Sequence, residues 1–170
     1  MVNFGIIYGL TGFGLADRLN ISRAEGDEFV ARYLERFPAI REFRDKVVEE
    51  ATEAGYVTTL LGRRRPIPEL SSGQGHVRQL GERLAVNAIV QGSAADIMKI
   101  GMIRCFRALD EGGFETEMVL QIHDELLFEG PESEAAAVAE LAVREMVGAW
   151  DLDPPLEVEV GTGADWLAAK

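Results

Sequence analysis

Apolar side chains recur at every fourth residue in the first part of the chain, which is the spacing of an amphipathic helix. Ser22 and Glu25 lie three residues apart, as in a capping box that starts a helix. Phe29, Tyr33 and Phe37 then follow at intervals of four residues. The pattern predicts a helix that begins near Ser22 and carries its aromatic side chains on one face.

More helices are predicted on both sides of a short strand and a loop. Residues 3–14, rich in glycine and aromatic residues, predict the end of one helix and a tight connection. Pro38 suits the first turn of a further helix, and Gly55 suits its end. Residues 56–61 have the composition of a strand, and residues 62–75 that of a loop. A long helix should follow from about Val77 to Leu109, broken or kinked at Gly92.

The last part of the chain has a different period. Residues 118–122 and 126–128 are short apolar runs separated by three polar residues, which predicts a β-hairpin with a charged tip. A helix should start at Pro131, and apolar residues alternate over 156–160 as in a further strand. The fold class predicted is α+β, with a helical portion followed by a small antiparallel sheet and flanking helices.

Charge is distributed unevenly along the 170 residues. The net charge is -12, yet residues 1–107 carry 15 Lys and Arg against 13 Asp and Glu, and residues 108–170 carry 2 against 16. Residues 63–83 contain five arginines and two acids. This cluster, which includes Arg64 and Arg65, suits a polyanion, although a solvated basic loop would explain it equally well.

The sequence also limits where the protein acts. No apolar run approaches the roughly 20 residues that a membrane span needs, and no signal-like segment follows Met1. We therefore expect a cytoplasmic protein without membrane partners. The one cysteine, Cys105, lies in an apolar helical stretch and is expected to be a buried thiol.

Three polar residues of the predicted long helix share one face. Arg83, Asn87 and Gln91 are spaced by four residues. Their guanidinium and amide groups are of the kind that contact base edges or sugars along a nucleic-acid groove. A solvent-exposed helix face is the plainer interpretation, and spacing alone favours it.

The predicted hairpin tip combines a histidine with two carboxylates. His123, Asp124 and Glu125 follow Gln121 and Ile122. Asp124 can supply one oxygen ligand of a two-metal site, in which ions lie about 3.5–4 Å apart. A charged turn without a ligand explains the same residues equally well. A zinc site is disfavoured because His76 and His123 are the only histidines.

Two nucleotide-binding motifs are excluded. The chain has no Gly-x-x-x-x-Gly-Lys loop. Gly9, Gly12 and Gly14 lack the spacing of a dinucleotide fingerprint, and no strand pattern precedes them.

Six segments, taken in order, resemble the motifs of family A (DNA polymerase I-like) DNA polymerases. They are residues 3–9, 62–65, 83–87, 90–92, 121–125, and 156–161 with 165–166. An ordered set of this kind is far more specific than any one motif. The resemblance implies that residues 1–75 are the C-terminal part of the fingers subdomain with a connecting hairpin and loop. Residues 76–170 would be the C-terminal part of the palm.

The resemblance implies a role for each candidate residue near the incoming nucleotide and the metal. Phe4 would lie beside the sugar of a deoxynucleoside triphosphate, and Tyr8 near the templating base. Asp124 would bind a catalytic Mg²⁺, with Glu125 as an accessory acid.

Other candidates would contact primer-template DNA. Arg83, Asn87 and Gln91 would face its minor groove, and Gln121 and His123 would join them near the primer end. The implied activity is template-directed DNA synthesis by two-metal nucleotidyl transfer, in replication or repair.

Two parts of the family pattern lie upstream of Met1: the fingers lysine that binds the triphosphate and the first palm aspartate. We therefore expect a fragment that is inactive alone and whose partner is the missing N-terminal polymerase portion. A truncated reading frame, one subunit of a split polymerase and an excised fragment all fit. The alternatives are a non-catalytic module that binds DNA or a partner protein, and an inert product of gene truncation.

Overall fold

The computed structural model of the protein describes residues 2–169, which divide into two compact units, residues 2–93 and residues 94–169. The α+β class is confirmed, because helices predominate and the described strands form two antiparallel hairpins. The helices are α1 Val2–Ile7, α2 Gly12–Leu19, α3 Arg23–Arg36, α4 Pro38–Ala54, α5 Gly75–Gly112 and α6 Ala135–Val147. The strands are β1 Tyr56–Thr58, β2 Arg64–Pro66, β3 Glu117–Ile122 and β4 Glu125–Glu129.

The predicted helix boundaries around α3 and α4 are confirmed. The Ser22 hydroxyl accepts a hydrogen bond from the Glu25 backbone N–H at 3.3 Å, and the Glu25 carboxylate accepts one from the Ser22 N–H at 2.8 Å. These bonds lower the pKa of Glu25, the side-chain bond with Ser22 being the largest cause. Pro38 begins α4, and Gly55 ends it with a φ of 76°, which glycine adopts without strain.

The core of the first unit lies between α4, the first hairpin and α5. Val57 of β1 is buried there between side chains of the two helices, while the paired β2 is exposed. The buried members are Val47, Ala51, Val57, Ile67, Leu70, Ala85, Val86 and Ala88. This core fixes the N-terminal half of α5, which carries the predicted polar stripe.

The prediction of an unbroken loop over residues 62–75 is wrong. Arg64–Pro66 forms β2, paired antiparallel with β1, and Pro68–Ser71 forms a 3-10 helix. The sequence did not indicate this strand, because all three residues of β2 are exposed and none contributes a buried side chain. A strand without an apolar face leaves little signal in the sequence.

Helix α5 is continuous from Gly75 to Gly112, so of the break or kink predicted at Gly92 the break is wrong. A side chain at Gly92 would bring its Cβ within 2.6 Å of the Thr59 Cγ2 atom. Gly92 therefore permits the first hairpin to approach the helix, where the Ser93 hydroxyl accepts a hydrogen bond from the Leu60 N–H at 3.0 Å.

Within residues 2–169, no helix combines the length and the apolar character required to cross a membrane.

The second unit consists of the C-terminal part of α5, the β3–β4 hairpin and α6. A cluster of Leu109, Val138 and Leu141, joined by Phe128 of β4, forms its core. Cys105 is fully buried, as predicted, and its burial raises the pKa of the thiol. A 3-10 turn, Glu132–Glu134, stands between Pro131 and α6, so the predicted α-helix starts four residues later than expected.

The predicted strand over residues 156–160 is wrong. Leu156 and Val158 are half-buried between exposed glutamates, so the alternation of burial is present at these residues. A strand also needs a hydrogen-bonded neighbour, and each described sheet contains two strands only. Alternation predicted which side chains are covered, but not that a sheet would form.

Candidate functional site

An open cleft of about 560 Å³ in the first unit brings three of the predicted site residues together. Phe4 and Tyr8 contribute from α1 and its C-terminal end, and Arg83 contributes from α5. Phe4 is 67% exposed, so its ring is available to a ligand, whereas Tyr8 and Arg83 are half-buried. The cleft is also lined by Gly5, Gly9, Leu10, Thr11 and Arg18.

Gly9 determines how closely Arg83 approaches the end of α1. Its φ is 86°, and a Cβ atom built on it would lie 2.9 Å from the Arg83 Cγ atom. Any side chain there would strain the backbone and displace Arg83. Sequence reasoning missed this role, although the glycines of residues 5–14 were the available signal.

A second cleft, of about 320 Å³, adjoins the first through the shared residues Tyr8, Gly9 and Arg83. Its charge is mixed, because Arg44 and Arg83 line it together with acidic side chains. Those acids are Asp45, Glu49 and Glu82. Sequence reasoning singled out neither Arg44 here nor Arg18 in the first cleft.

The stripe on α5 differs from an ordinary solvated helix face. Asn87 is half-buried, and its side-chain oxygen is buried without a hydrogen-bond donor among the described residues. Leaving a buried acceptor unpaired costs about 1–3 kcal/mol. Gln91, one turn further on, is exposed. On this stripe the Gln91 side chain is therefore accessible to a ligand, whereas the Asn87 oxygen is enclosed by its neighbours.

Arg64 and Arg65 lie on β2, where both are exposed. The Arg64 guanidinium lies 4.8 Å from the centre of the Tyr56 ring, close enough for a cation–π interaction. Such a contact holds the side chain without neutralising its charge. Within the described chain, neither arginine forms an ion pair.

In the second unit, the β3–β4 hairpin presents the other predicted residues. Ile122 pairs with Glu125, so His123 and Asp124 form a two-residue turn. His123 has a φ of 54°, which is uncommon outside glycine but tolerated better by histidine than by most residues. The Gln121 side-chain amide donates to the His123 carbonyl at 2.6 Å, which stabilises the turn.

The carboxylates at this tip are of the type that binds Mg²⁺, but they are fewer than the ligands that a complete metal site needs. Asp124 and Glu125 are exposed, and oxygen ligands of this type are those that Mg²⁺ prefers. Among residues 2–169, no three His, Cys, Asp or Glu side chains are grouped so that they could hold an ion. The tip thus presents one or two carboxylates of the kind that a Mg²⁺ site uses.

The comparisons with known proteins agree with the motifs. The model of DNA polymerase family A matches residues 1–168. The chain is 46% identical to DNA polymerase I of Streptococcus pneumoniae and 47% identical to the thermostable DNA polymerase I of Thermus aquaticus, in each case over 99% of its length. It covers 19% and 20% of those two relatives, so it spans about a fifth of their length.

A solved structure is similar throughout the chain. It is the POL domain of Pol1 from M. smegmatis in complex with DNA primer-template and dNTP, at 45% identity and a TM-score of 0.95. The similarity covers 99% of this chain and 30% of that one. With the family model matched over nearly every residue, the predicted resemblance is confirmed: the chain belongs to DNA polymerase family A.

Proposed function

We propose that the chain is the C-terminal fingers and palm portion of a DNA-directed DNA polymerase and that it does not synthesise DNA alone. The observation that carries this proposal is the similarity, at a TM-score of 0.95, to a polymerase domain described as a complex with primer-template and dNTP. In this proposal residues 1–75 belong to the fingers and residues 76–170 to the palm.

Phe4 and Tyr8 are proposed to contact the nucleotide and the templating base. All three residues Phe4, Tyr8 and Arg83 line one cleft, which supports this proposal. A nucleotide base can stack on an aromatic ring, and an arginine can donate hydrogen bonds to it or to its sugar. Gly9 contributes by allowing Arg83 to lie against the end of α1. The incoming deoxynucleoside triphosphate is thus one proposed ligand of the first cleft.

Primer-template DNA is the second proposed ligand. The stripe on α5 supports this, because Asn87 is only half-buried and its amide is of the kind that contacts base edges in a groove. Gln91, Gln121 and His123 are exposed, and they are proposed to contact sugars or base edges. Arg64 and Arg65 are proposed to bind backbone phosphates, because they are exposed cations without acidic partners in the described chain.

Asp124 is proposed as a Mg²⁺ ligand and Glu125 as an accessory acid at the same tip. The ion, when bound, would supply electrostatic stabilisation for phosphoryl transfer. The chain's own contribution is an exposed carboxylate on a two-residue turn, held by the bond from Gln121. The other carboxylate ligands are proposed to belong to the N-terminal polymerase portion, which is therefore a required partner.

A primer-extension assay tests the proposal. The 170-residue protein should not extend a labelled primer with Mg²⁺ and deoxynucleotides, because its described carboxylates form no complete metal site. Adding the separately purified N-terminal portion of the polymerase domain should restore extension. Extension by the 170-residue protein alone, or no extension by the mixed portions when both are folded, would contradict the proposal.

A non-catalytic DNA-binding role is the second candidate. One contrast favours it: many exposed side chains of the described chain are proposed to contact DNA, whereas no group of three possible metal ligands is found among residues 2–169. Binding of primer-template by the protein, without any extension once the N-terminal portion is added, would support this role instead.

A further inference from the structure

Arg18 lies on the first cleft and has no role in the function proposed above. It occupies the last turn of α2 and is exposed. Within residues 2–169 it forms no ion pair, although Asp17 is its neighbour. Two arginines of the adjacent helix α3 behave differently, since Arg23 pairs with Asp27 and Arg32 pairs with Glu28 one turn away.

The first cleft has a composition unlike that of the cleft beside it. Two guanidinium groups, from Arg18 and Arg83, line it with the rings of Phe4 and Tyr8, and no acidic side chain of the described chain does so. The adjoining cleft, by contrast, is lined by three acids. Grooves that bind single-stranded nucleic acid combine cations with aromatic rings, because the rings stack on bases and the cations contact phosphates.

Helix α2 holds Arg18 on a well-fixed element. The Thr11 hydroxyl accepts a hydrogen bond from the Gly14 N–H at 3.3 Å and caps the start of the helix. Asn20, with a φ of 55°, ends it and donates its N–H to the Ala16 carbonyl. Gly12 packs against Asp27 of α3 so closely that a side chain there would collide with the Asp27 backbone. The direction of α2, and hence the site of Arg18, is set by packing.

We propose that Arg18 is a DNA-positioning residue whose guanidinium binds a backbone phosphate of the unpaired template strand where that strand passes Tyr8. This inference rests on the proposed function, because it takes Tyr8 to contact the templating base and the incoming nucleotide to share the first cleft with the template strand. A template phosphodiester carries one negative charge, which one arginine can balance. A triphosphate carries several, and its usual sites combine a metal ion with cations clustered on the β- and γ-phosphates.

The test is binding of the 170-residue protein to fluorescent primer-templates with either a blunt end or a four-nucleotide 5′ template overhang. Arg18→Ala should weaken binding to the overhang substrate by about tenfold, the effect of losing one charge-assisted hydrogen bond. Its slope of log affinity against log salt should fall by about 0.7, as expected for one single-strand phosphate. Binding to the blunt duplex should not change.

Arg23→Ala is the matched control, because it removes the same charge from the adjacent helix at a residue outside both clefts. It should leave both substrates unaffected, and Arg18→Lys should keep the salt slope. Melting temperatures should match that of the parent, since Arg18 is exposed.

Several outcomes would overturn the inference. They are parent-like overhang binding by Arg18→Ala, equal losses on blunt and overhang DNA, and an overhang that adds nothing to binding by the parent. A fourth is a raised KM for deoxynucleotide in the reassembled enzyme with overhang binding unchanged, which would assign Arg18 to the triphosphate. If the overhang effect appears but the reassembled portions never extend a primer, the proposed function fails and the role of Arg18 in DNA binding stands.

Discussion

The cleft of the first unit and the hairpin tip of the second present their functional side chains in opposite settings. In the cleft, Tyr8 and Arg83 are half-buried, and Gly9 lets Arg83 pack against the end of α1. At the tip, Gln121, His123, Asp124 and Glu125 are all exposed. The described structure builds the cleft from three elements but builds the tip from one hairpin.

The difference separates the proposed contacts that local packing can form from the proposed metal site, which needs more ligands than one hairpin presents. Contacts to a nucleotide or to DNA need surface shape and a few donors, which local packing of α1, α2 and α5 supplies. A magnesium site needs several oxygen ligands around one point. A single hairpin cannot place them, because side chains of successive residues in a strand point to opposite faces.

The largest expected effect is that of Asp124→Asn in the polymerase reassembled with its N-terminal portion. With Asp124 as the proposed Mg²⁺ ligand, the change would remove a carboxylate charge from the ion and with it several kcal/mol of transition-state stabilisation, so extension should fall by at least about 10³-fold. DNA binding should change little. Glu129→Gln, an equivalent change at an exposed residue of the same hairpin, should leave extension intact. Single-turnover extension rates measure both, and an active Asp124→Asn enzyme would remove this residue from the metal site.

The Asn87 side chain should show the next largest effect. Its oxygen has no hydrogen-bond partner among the described residues, so Asn87→Ala should not lower the melting temperature. Loss of the proposed contact between the amide and DNA should cost about 1–3 kcal/mol in extension. Gln91→Ala should reduce extension in the same range, and neither change should alter the salt slope, because neither removes a charge. Gln79→Ala, exposed on the same helix, is the control. If mismatched and matched primers are extended as by the parent, Asn87 does not contact DNA.

Local sequence signals predicted the elements whose bonds are local. The capping box at Ser22 and Glu25, the Pro38 and Gly55 boundaries of α4, and the pairing of β3 with β4 as a hairpin all depend on residues close in the chain. Sequence reasoning failed where a distant partner decides the outcome. Gly92 looked like a helix break because Thr59, which approaches it, is 33 residues away.

The same limit applies to the site. Spacing placed Arg83, Asn87 and Gln91 on one face, but burial of the Asn87 oxygen depends on neighbours that the spacing does not specify. Arg18 and Arg44 carry no motif and were found only because folding places them on clefts with Tyr8 or Arg83. The roles of the predicted residues came from the family resemblance, because charge and spacing alone left two interpretations open.

A smaller effect is expected for the arginines of β2. Arg64→Ala and Arg65→Ala should weaken binding to all DNA sequences alike and lower the salt slope by about one unit for each phosphate that is no longer neutralised. Arg41→Ala, which removes an exposed charge from α4, should leave the slope unchanged. Affinity measured over a range of salt concentrations separates these variants from Asn87→Ala. An unchanged salt slope in both Arg64→Ala and Arg65→Ala would show that the arginines of β2 are solvated and do not contact DNA phosphates.

The smallest expected effect concerns the base of the second hairpin, where Glu134 forms three hydrogen bonds with Glu115 and Thr116. The Glu134 carboxylate accepts hydrogen bonds from the Thr116 hydroxyl at 2.6 Å, the Thr116 N–H at 3.0 Å and the Glu115 N–H at 3.1 Å. These bonds, led by that of the Thr116 side chain, hold the pKa of Glu134 below its ordinary value of 4.5.

Because the folded state favours the charged carboxylate, Glu134 stabilises the fold above pH 4.5, and the contribution is lost as pH falls through its lowered folded-state pKa. Glu134→Gln should therefore lower the melting temperature most at neutral pH, with the difference from the parent shrinking in acid. Glu132→Gln, an exposed residue of the same 3-10 turn, should show no such dependence. A Glu134→Gln difference that stays constant between pH 7 and pH 3 would show that the carboxylate charge does not hold the hairpin base.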